Sequence, residues 1–328
     1  DVDSFTVAFD AAEGNFAGEY TDESKQSATV SYDSKTSLTL LPSSSVTRTG
    51  YTFAGWADKD KNIITSPVSA TTLNAWYVEV GKNQIKTLYA QWTQNKYTVK
   101  FSGNTGATGT MSNQVMTYDE EAQLTANNFK LTGYTFAGWT ASVVGGSYKE
   151  KAEDEFTTIA AQTRIPDKAY VINLVDGETV KEVTLTAQWA ENEYTVTFVY
   201  GNGTENSTAT FGITKSIALE TSITRTGYTF AGWKVTAVAA ETNWKLNDVY
   251  TTSPIEAGKY GNVELTAQWT AIEYTITYDL VGGALETGVT NPATYTIETA
   301  TFTLANPTKT GYTFAGWTGT GYEVANET

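Results

Sequence analysis

The heptapeptide GYTFAGW occurs four times without change, at 50–56, 133–139, 227–233 and 311–317. A chain that keeps seven residues while the sequence around them drifts is built from copies of one small unit, which constrains the fold more than any composition figure. A length of 328 residues would otherwise suit two or three ordinary domains. A second landmark keeps step with the first: LYAQW at 88–92, then LTAQW at 185–189 and 265–269. After each of these tryptophans a constant step leads to an aromatic that opens an alternating stretch: Trp92 to Tyr97, Trp189 to Tyr194 and Trp269 to Tyr274. Those stretches are KYTVKF (96–101), EYTVTF (193–198) and EYTITY (273–278), and SFTVAF (4–9) is the first of the set.

Between the opening stretch and the heptapeptide lie two further runs at period two, the spacing of half-buried strands. They are ATVSY (28–32) and SLTL (37–40), QVMTY (114–118) and AQL (122–124), STATF (207–211) and SIAL (216–219), and ATYTI (293–297) and TFTL (301–304). After the heptapeptide the copies diverge, and each excursion reads as ending in a hairpin. In the second, YVINLV (170–175), Asp176-Gly177 and EVTLTAQW (182–189) carry a strong turn signal. In the first, AWYVEV (75–80), Gly81-Lys82-Asn83 and QIKTLYAQW play that part, while YKEKAEDEF (148–156) has the charge spacing of a short helix. The units are expected at 1–93, 94–190, 191–270 and 271–328, the last stopping before any AQW strand. Either the chain is cut within a repeat, or another chain supplies the missing strand.

The ordered landmarks YTVTF, TRTGYTFAGW and LTAQW resemble the Listeria-Bacteroides repeat, the B-type repeat of internalin B, over all four units. The resemblance implies small β-grasp-like domains in tandem on secreted or surface-anchored bacterial proteins, set between a binding head and a wall anchor. Its expectations are a mainly β chain with little helix, an extracellular location, a stalk or spacer role, and no cofactor. Linkers of four residues leave little room to swing; with units about 30 Å across, four in line give a rod of roughly 100 to 130 Å. A host or matrix protein, or a glycan, is the expected partner, and the fourth unit offers an edge for self-association. With 36 acidic against 21 basic residues the chain repels phosphate backbones, so nucleic acid is not expected. No apolar run reaches the roughly 18 residues of a membrane span, and DVDSFTVAFD lacks the features of a signal peptide.

Within the heptapeptide, Tyr51 and Phe53 fall on one side of a strand, and a bulge at Gly55 would bring Trp56 to the same side. Gly50 suits a turn position with positive φ. Trp92 and the opening aromatic Phe5 are the expected partners across the sheet. The structural anchors are therefore Tyr51, Phe53, Trp56 and Trp92; Tyr134, Phe136, Trp139 and Trp189; Tyr228, Phe230, Trp233 and Trp269; and Tyr312, Phe314 and Trp317. Aromatics of the excursions, Trp76, Tyr77, Tyr148, Tyr170, Trp244, Tyr250 and Tyr260, are the candidate ligand contacts, since loops on a rigid scaffold commonly bind.

Chemistry has few openings in this chain. Cysteine and histidine are absent, which removes disulfides, thiolate and imidazole metal sites and every triad that needs histidine. Asp58, Asp60 and Asn62 in DKDKN are spaced like the start of a calcium loop but lack its glycine and closing glutamate. No acidic residue recurs at an aligned position in all four units, so no repeated carboxylate pair for glycoside hydrolysis is expected. A Lys-Asn cross-link common to all units is not expected either, since Glu193 and Glu273 stand where Lys96 does.

Overall fold

The computed structural model describes residues 3–33 and 35–319. The chain folds as two compact units, Asp1–Ala190 and Glu191–Thr328. The first holds two repeats. In each, the opening strand lies inside a four-stranded mixed sheet. Ser4–Asp10 runs antiparallel to Ser27–Ser31 on one side and parallel to the closing strand Ile85–Gln94 on the other. That closing strand in turn pairs antiparallel with the heptapeptide strand Tyr51–Ala57. Lys96–Ser102, Gln114–Thr117, Glu182–Glu191 and Tyr134–Ala141 repeat the order. In the second unit Tyr194–Val199, Ser207–Phe211, Val263–Ala271 and Tyr228–Val238 do so again, with Val249–Tyr250 added at the edge. This is the β-grasp-like order that the landmarks led us to expect. Each of the three sheets covers its own buried core, the first built from residues between Phe5 and Ala90, the second between Tyr97 and Ala187, the third between Val196 and Ala267.

Parallel pairing of opening and closing strands is what the excursions serve. Two parallel neighbours cannot be joined by a tight turn, so the chain must cross back over the sheet. In the first repeat the crossover contains a helix, Ala70–Val80, where a strand and hairpin at 75–80 were expected. The Ser69 hydroxyl caps its start by accepting from the Thr72 N–H at 3.2 Å, and Gly81, at φ 99°, ends it. Leu73 and Trp76, one turn apart, are buried against the sheet. The apolar spacing across 73–80 is thus helical, and a short window over 75–80 cannot distinguish the two periods.

The second excursion also departs from the expected hairpin. Tyr170–Ile172 does not pair with the closing strand; it joins Ser147–Lys149, Thr157–Thr158 and Ala122–Gln123 in a separate four-stranded sheet. The Asp176 carboxylate accepts from the N–H groups of Glu178, Thr179 and Val180 and from the Thr179 hydroxyl. That carboxylate leads the chain out of one sheet and into the other, which a two-residue hairpin would not do. No helix forms over 148–156. There Lys149 pairs with Glu121 at 2.9 Å and donates to the Ala152 carbonyl, interactions that hold the segment to the sheet.

The fourth repeat has the least regular structure. Tyr274–Thr275 pairs with Thr294–Tyr295, and 301–304, expected as a strand, is not one. Among the described residues its heptapeptide has one bridge, Tyr312 to Lys309 just ahead of it. The given sequence contains no fourth AQW. The terminal GYEVANET lies outside the described residues.

Candidate functional site

The heptapeptide divides into two parts with different surroundings. Its second half, Phe-Ala-Gly-Trp, faces inward. The ladder slips by one residue between Phe53 and Gly55, and again between Phe230 and Gly232, where the glycines have φ 139° and 122°. A one-residue bulge resets the alternation, so Trp56 lands on the side that Phe53 already faces. Their ring centroids are 5.3 Å apart, and Phe53 meets Trp92 of the closing strand at 5.7 Å. Equivalent contacts join Phe136 to Trp139 and Trp189 at 4.8 and 5.7 Å, and Phe230 to Trp233 and Trp269 at 5.8 and 5.6 Å. Trp56 is 2% exposed, Trp139 and Trp233 0%.

The opening strand contributes its last aromatic to this cluster, where its first was expected. Phe9 packs on Trp56 at 4.8 Å, Phe101 on Trp139 at 5.2 Å and Phe198 on Trp233 at 5.1 Å. The parallel register explains the difference. Phe9 sits opposite Leu88, near the AQW end, whereas Phe5 lies at the far end of the strand and meets Tyr77 of the helix at 6.3 Å. The closing tryptophans also hold the loop that follows the opening strand: their indole N–H groups donate to Ala11 and Ala12, to Gly103 and to Tyr200.

The first half, Gly-Tyr, faces the next repeat. Tyr51 was expected in the core, but it follows a turn that aims its ring elsewhere. The Tyr51 N–H donates to the Arg48 carbonyl at 3.0 Å across a Gly50 with φ 81°, the geometry of a type II turn, whose third position needs positive φ. Tyr134, Tyr228 and Tyr312 make the same bond to Leu131, Arg225 and Lys309, across glycines at φ 80°, 79° and 81°. From that turn Tyr51 sets its edge against Tyr118 at 6.4 Å and donates its hydroxyl to the Asp119 carboxylate at 2.9 Å. The Arg48 guanidinium covers the other face, 3.8 Å from the ring centre. The Gly50 N–H donates to the Gly177 carbonyl at 3.1 Å, and Gln94 donates to the Tyr118 carbonyl at 2.9 Å. A Cβ on Gly50 would stand 1.9 Å from the Tyr118 ring.

In the second unit the same joint recurs. Tyr228 donates its hydroxyl to Glu298 at 2.9 Å, Arg225 lies 4.0 Å over its ring, and a Cβ on Gly227 would meet Ile297 at 2.7 Å. Partial desolvation, then the hydrogen bond to Asp119, raises the Tyr51 phenol above its ordinary value. For Tyr228 the hydrogen bond to Glu298 comes first and desolvation second. A cavity of about 20 Å³ beside the first joint, lined by residues including Asn95, Tyr97, Tyr118 and Val175, has room for one water and for no larger ligand.

The joint residues Arg48, Asp119, Gly177, Arg225 and Glu298 were not singled out from the sequence. A signal was present: RTGY, LTGY, RTGY and KTGY open the repeated strand, and an acidic residue follows the alternating runs ATVSY, QVMTY and ATYTI.

Of the candidate ligand contacts, Trp76 and Trp244 are only 7% and 4% exposed, which removes them as a stacking platform. The Trp244 indole donates to the Gly261 carbonyl at 3.1 Å. Tyr77, Tyr148, Tyr170, Tyr250 and Tyr260 are half-buried and belong to three different repeats. Tyr77 stacks on Tyr32 and donates to Asp3, and Tyr250 packs on Trp244. At the weak calcium candidate, Asp58 accepts from the Asp60 and Asn62 N–H groups and from the Asn62 amide, so this carboxylate is spent on closing a turn. Among the described residues no group of three or more His, Cys, Asp or Glu could hold a metal ion. In the fourth repeat Phe314 and Tyr278 still meet Trp317, at 5.5 and 5.4 Å, while Tyr312 is 73% exposed.

Mixed sheets in β-grasp-like order, each closed by the same aromatic cluster, with the same turn joining the first to the second copy and the third to the fourth, define a class of non-enzymatic tandem repeat modules. The chain belongs to the Listeria-Bacteroides repeat domain family, whose model matches residues 5–91, 97–163, 194–256 and 274–323. Two relatives come from Evansella cellulosilytica. One, named by inference a Gly-rich membrane protein, is 29% identical over 83% of this chain and 28% of its own length. The other, named by inference a membrane protein, is 29% identical over 70% of this chain and 29% of its own length. The chain therefore spans less than a third of the curated relatives it matches. No helix among the described residues is long and apolar enough to cross a membrane.

Proposed function

We propose that this chain is an extracellular spacer of a bacterial surface protein, holding other parts of a longer polypeptide away from the cell. The observation that carries the reading is the joint. A spacer must resist folding back on itself, and Tyr51 with Asp119, like Tyr228 with Glu298, ties one repeat to the next by side-chain and ring contacts. The names and lengths of the relatives support a surface context, as does a short linker that leaves successive strands almost continuous, Ile85–Gln94 running into Lys96–Ser102. Adhesion to a host protein or glycan is the second role that the family suggests, and it would have to use surface other than the buried Trp76 and Trp244.

The test is a cell-surface fusion in which the four repeats separate a small reporter from a wall anchor. Antibody access to the reporter should fall sharply when the repeats are deleted and return when they are restored. Equal access with and without them would overturn the spacer role. Binding of the isolated chain to a glycan or matrix-protein array would move the reading to adhesion.

A further inference from the structure

The chain enters each of the first three repeats at the start of the opening strand and leaves it at the end of the closing strand. These two strands are parallel neighbours. Thr6 to Asp10 pair with Ile85 to Tyr89, Thr98 to Ser102 with Glu182 to Thr186, and Val196 to Val199 with Val263 to Thr266. Parallel pairing is slightly weaker per residue than antiparallel pairing and demands a long crossover. It also puts entry and exit at opposite ends of one ladder. Tension along the chain then slides the two strands past each other and loads their hydrogen bonds together. An antiparallel pair would be entered and left at the same end, and would open bond by bond. Forced unfolding reads this barrier and not the equilibrium stability.

Both ends of the ladder are fastened by bonds that recur in all three repeats. At the entry end, the N–H of an equivalent threonine reaches across to the residue just ahead of the closing strand. Thr6 donates to the Gln84 carbonyl, Thr98 to the Lys181 carbonyl and Thr195 to the Asn262 side chain, each at 2.9 Å. At the exit end, Trp92, Trp189 and Trp269 of the closing strands donate to the loop that follows the opening strand. Sliding would also pull Val7, Val99 and Val196 of the opening strands and Leu88, Leu185 and Leu265 of the closing strands out of their buried places. Little slack separates one ladder from the next: Asn95 alone lies between Gln94 and Lys96, and Asn192 and Glu193 between Glu191 and Tyr194. The excursions lie off this path, so their lengths can differ without changing what the chain pulls on.

We infer that each of the first three repeats is a load-bearing clamp. Tension along the chain is carried by the parallel pairing of opening and closing strands, while the residues between them stay unloaded. The source of the tension rests on the spacer reading, since a polypeptide that holds something away from a cell is pulled by whatever drags on it. The resistance itself is a property of the sheet. It can fail while reporter access still depends on the repeats, and reporter access can fail while the resistance stands.

Single-molecule pulling on the full chain tests the clamp. The chain has no cysteine, so handles can be attached through thiols introduced at the exposed positions Lys96, Lys181 and Ala190. Lys96→Cys with Ala190→Cys loads the second repeat along its ladder. Lys96→Cys with Lys181→Cys pulls on one end of the same ladder. Thermal transitions matching the parent's establish that both variants are folded. Rupture along the ladder should need severalfold more force than opening from one end. It should come in one step that lengthens the molecule by about 300 Å, the reach of the chain between the handles. Equal forces in the two directions overturn the inference, as does rupture along the ladder in several small steps at low force.

Discussion

At Gly50 the backbone conformation and the space around it make separate demands. Its φ of 81° disfavours any other residue, and Tyr118 occupies the place of a side chain. Gly311 has the same φ with open space around it. Gly311→Ala should therefore show only the backbone penalty, on the order of 1 kcal/mol for an alanine forced to positive φ. Gly50→Ala carries that penalty and also displaces Tyr118. Urea unfolding of the two variants should thus give a larger loss for Gly50→Ala, accompanied by a changed Tyr51 environment that Gly311→Ala does not produce at Tyr312. Trp56, 2% exposed among Phe9, Phe53 and the first core, belongs to the other half of the motif. Replacing it with alanine should cost about 3 to 5 kcal/mol and unfold the first repeat, as read by the loss of its transition in calorimetry.

The Asp176 turn and the two joints respond to pH in opposite directions. Asp176, held by the Thr179 hydroxyl and then by backbone N–H groups, has its pKa lowered to about 2 from an ordinary 3.8. Its contribution to the turn before Glu182–Glu191 is complete above pH 3.8 and disappears as pH falls through about 2. Amide exchange at Glu178 to Val180 should accelerate across that window, and Asp176→Asn should shift the effect out of it. Tyr51 and Tyr228 are raised above an ordinary 10.0, so what their protonated hydroxyls add to the joints is present below pH 10 and lost as pH rises through their higher values. Ultraviolet titration should find Tyr51 and Tyr228 among the late-ionising tyrosines, with Tyr77, Tyr97 and Tyr118, and Asp119→Asn should lower the Tyr51 value part of the way, leaving the share due to desolvation.

The strands of these repeats were legible because period two survives wherever one face is buried: SFTVAF, EVTLTAQW and YTFAGW all appear as read. What was not legible came from pairing. A two-residue turn signal such as Asp176-Gly177 is local and cannot show that the strands on either side of it belong to different sheets. Nor does a six-residue run such as AWYVEV reveal that Leu73 and Trp76 share a helical face. The aromatic anchors of the motif were visible as rings at fixed spacing. That Tyr51 serves a neighbouring repeat was not, because its partner Asp119 lies far along the chain and is one acid among many.

Among the described residues, three cores and two joints mean that stability and linkage are set by different residues of one motif. The claim is that Phe-x-x-Trp closes a repeat and that Gly-Tyr fastens the first repeat to the second and the third to the fourth. Hydrogen exchange with mass spectrometry on the full-length chain tests this most directly, comparing Tyr51→Ala with Trp56→Ala. Tyr51→Ala should leave the strands Ser4–Asp10 and Ile85–Gln94 protected and expose only amides of the joint, those of Gly50 and Tyr118 among them. Trp56→Ala should strip protection from both strands while the cores beyond Tyr97 keep theirs. Loss of protection throughout the first repeat in Tyr51→Ala, or full protection there in Trp56→Ala, would contradict the division.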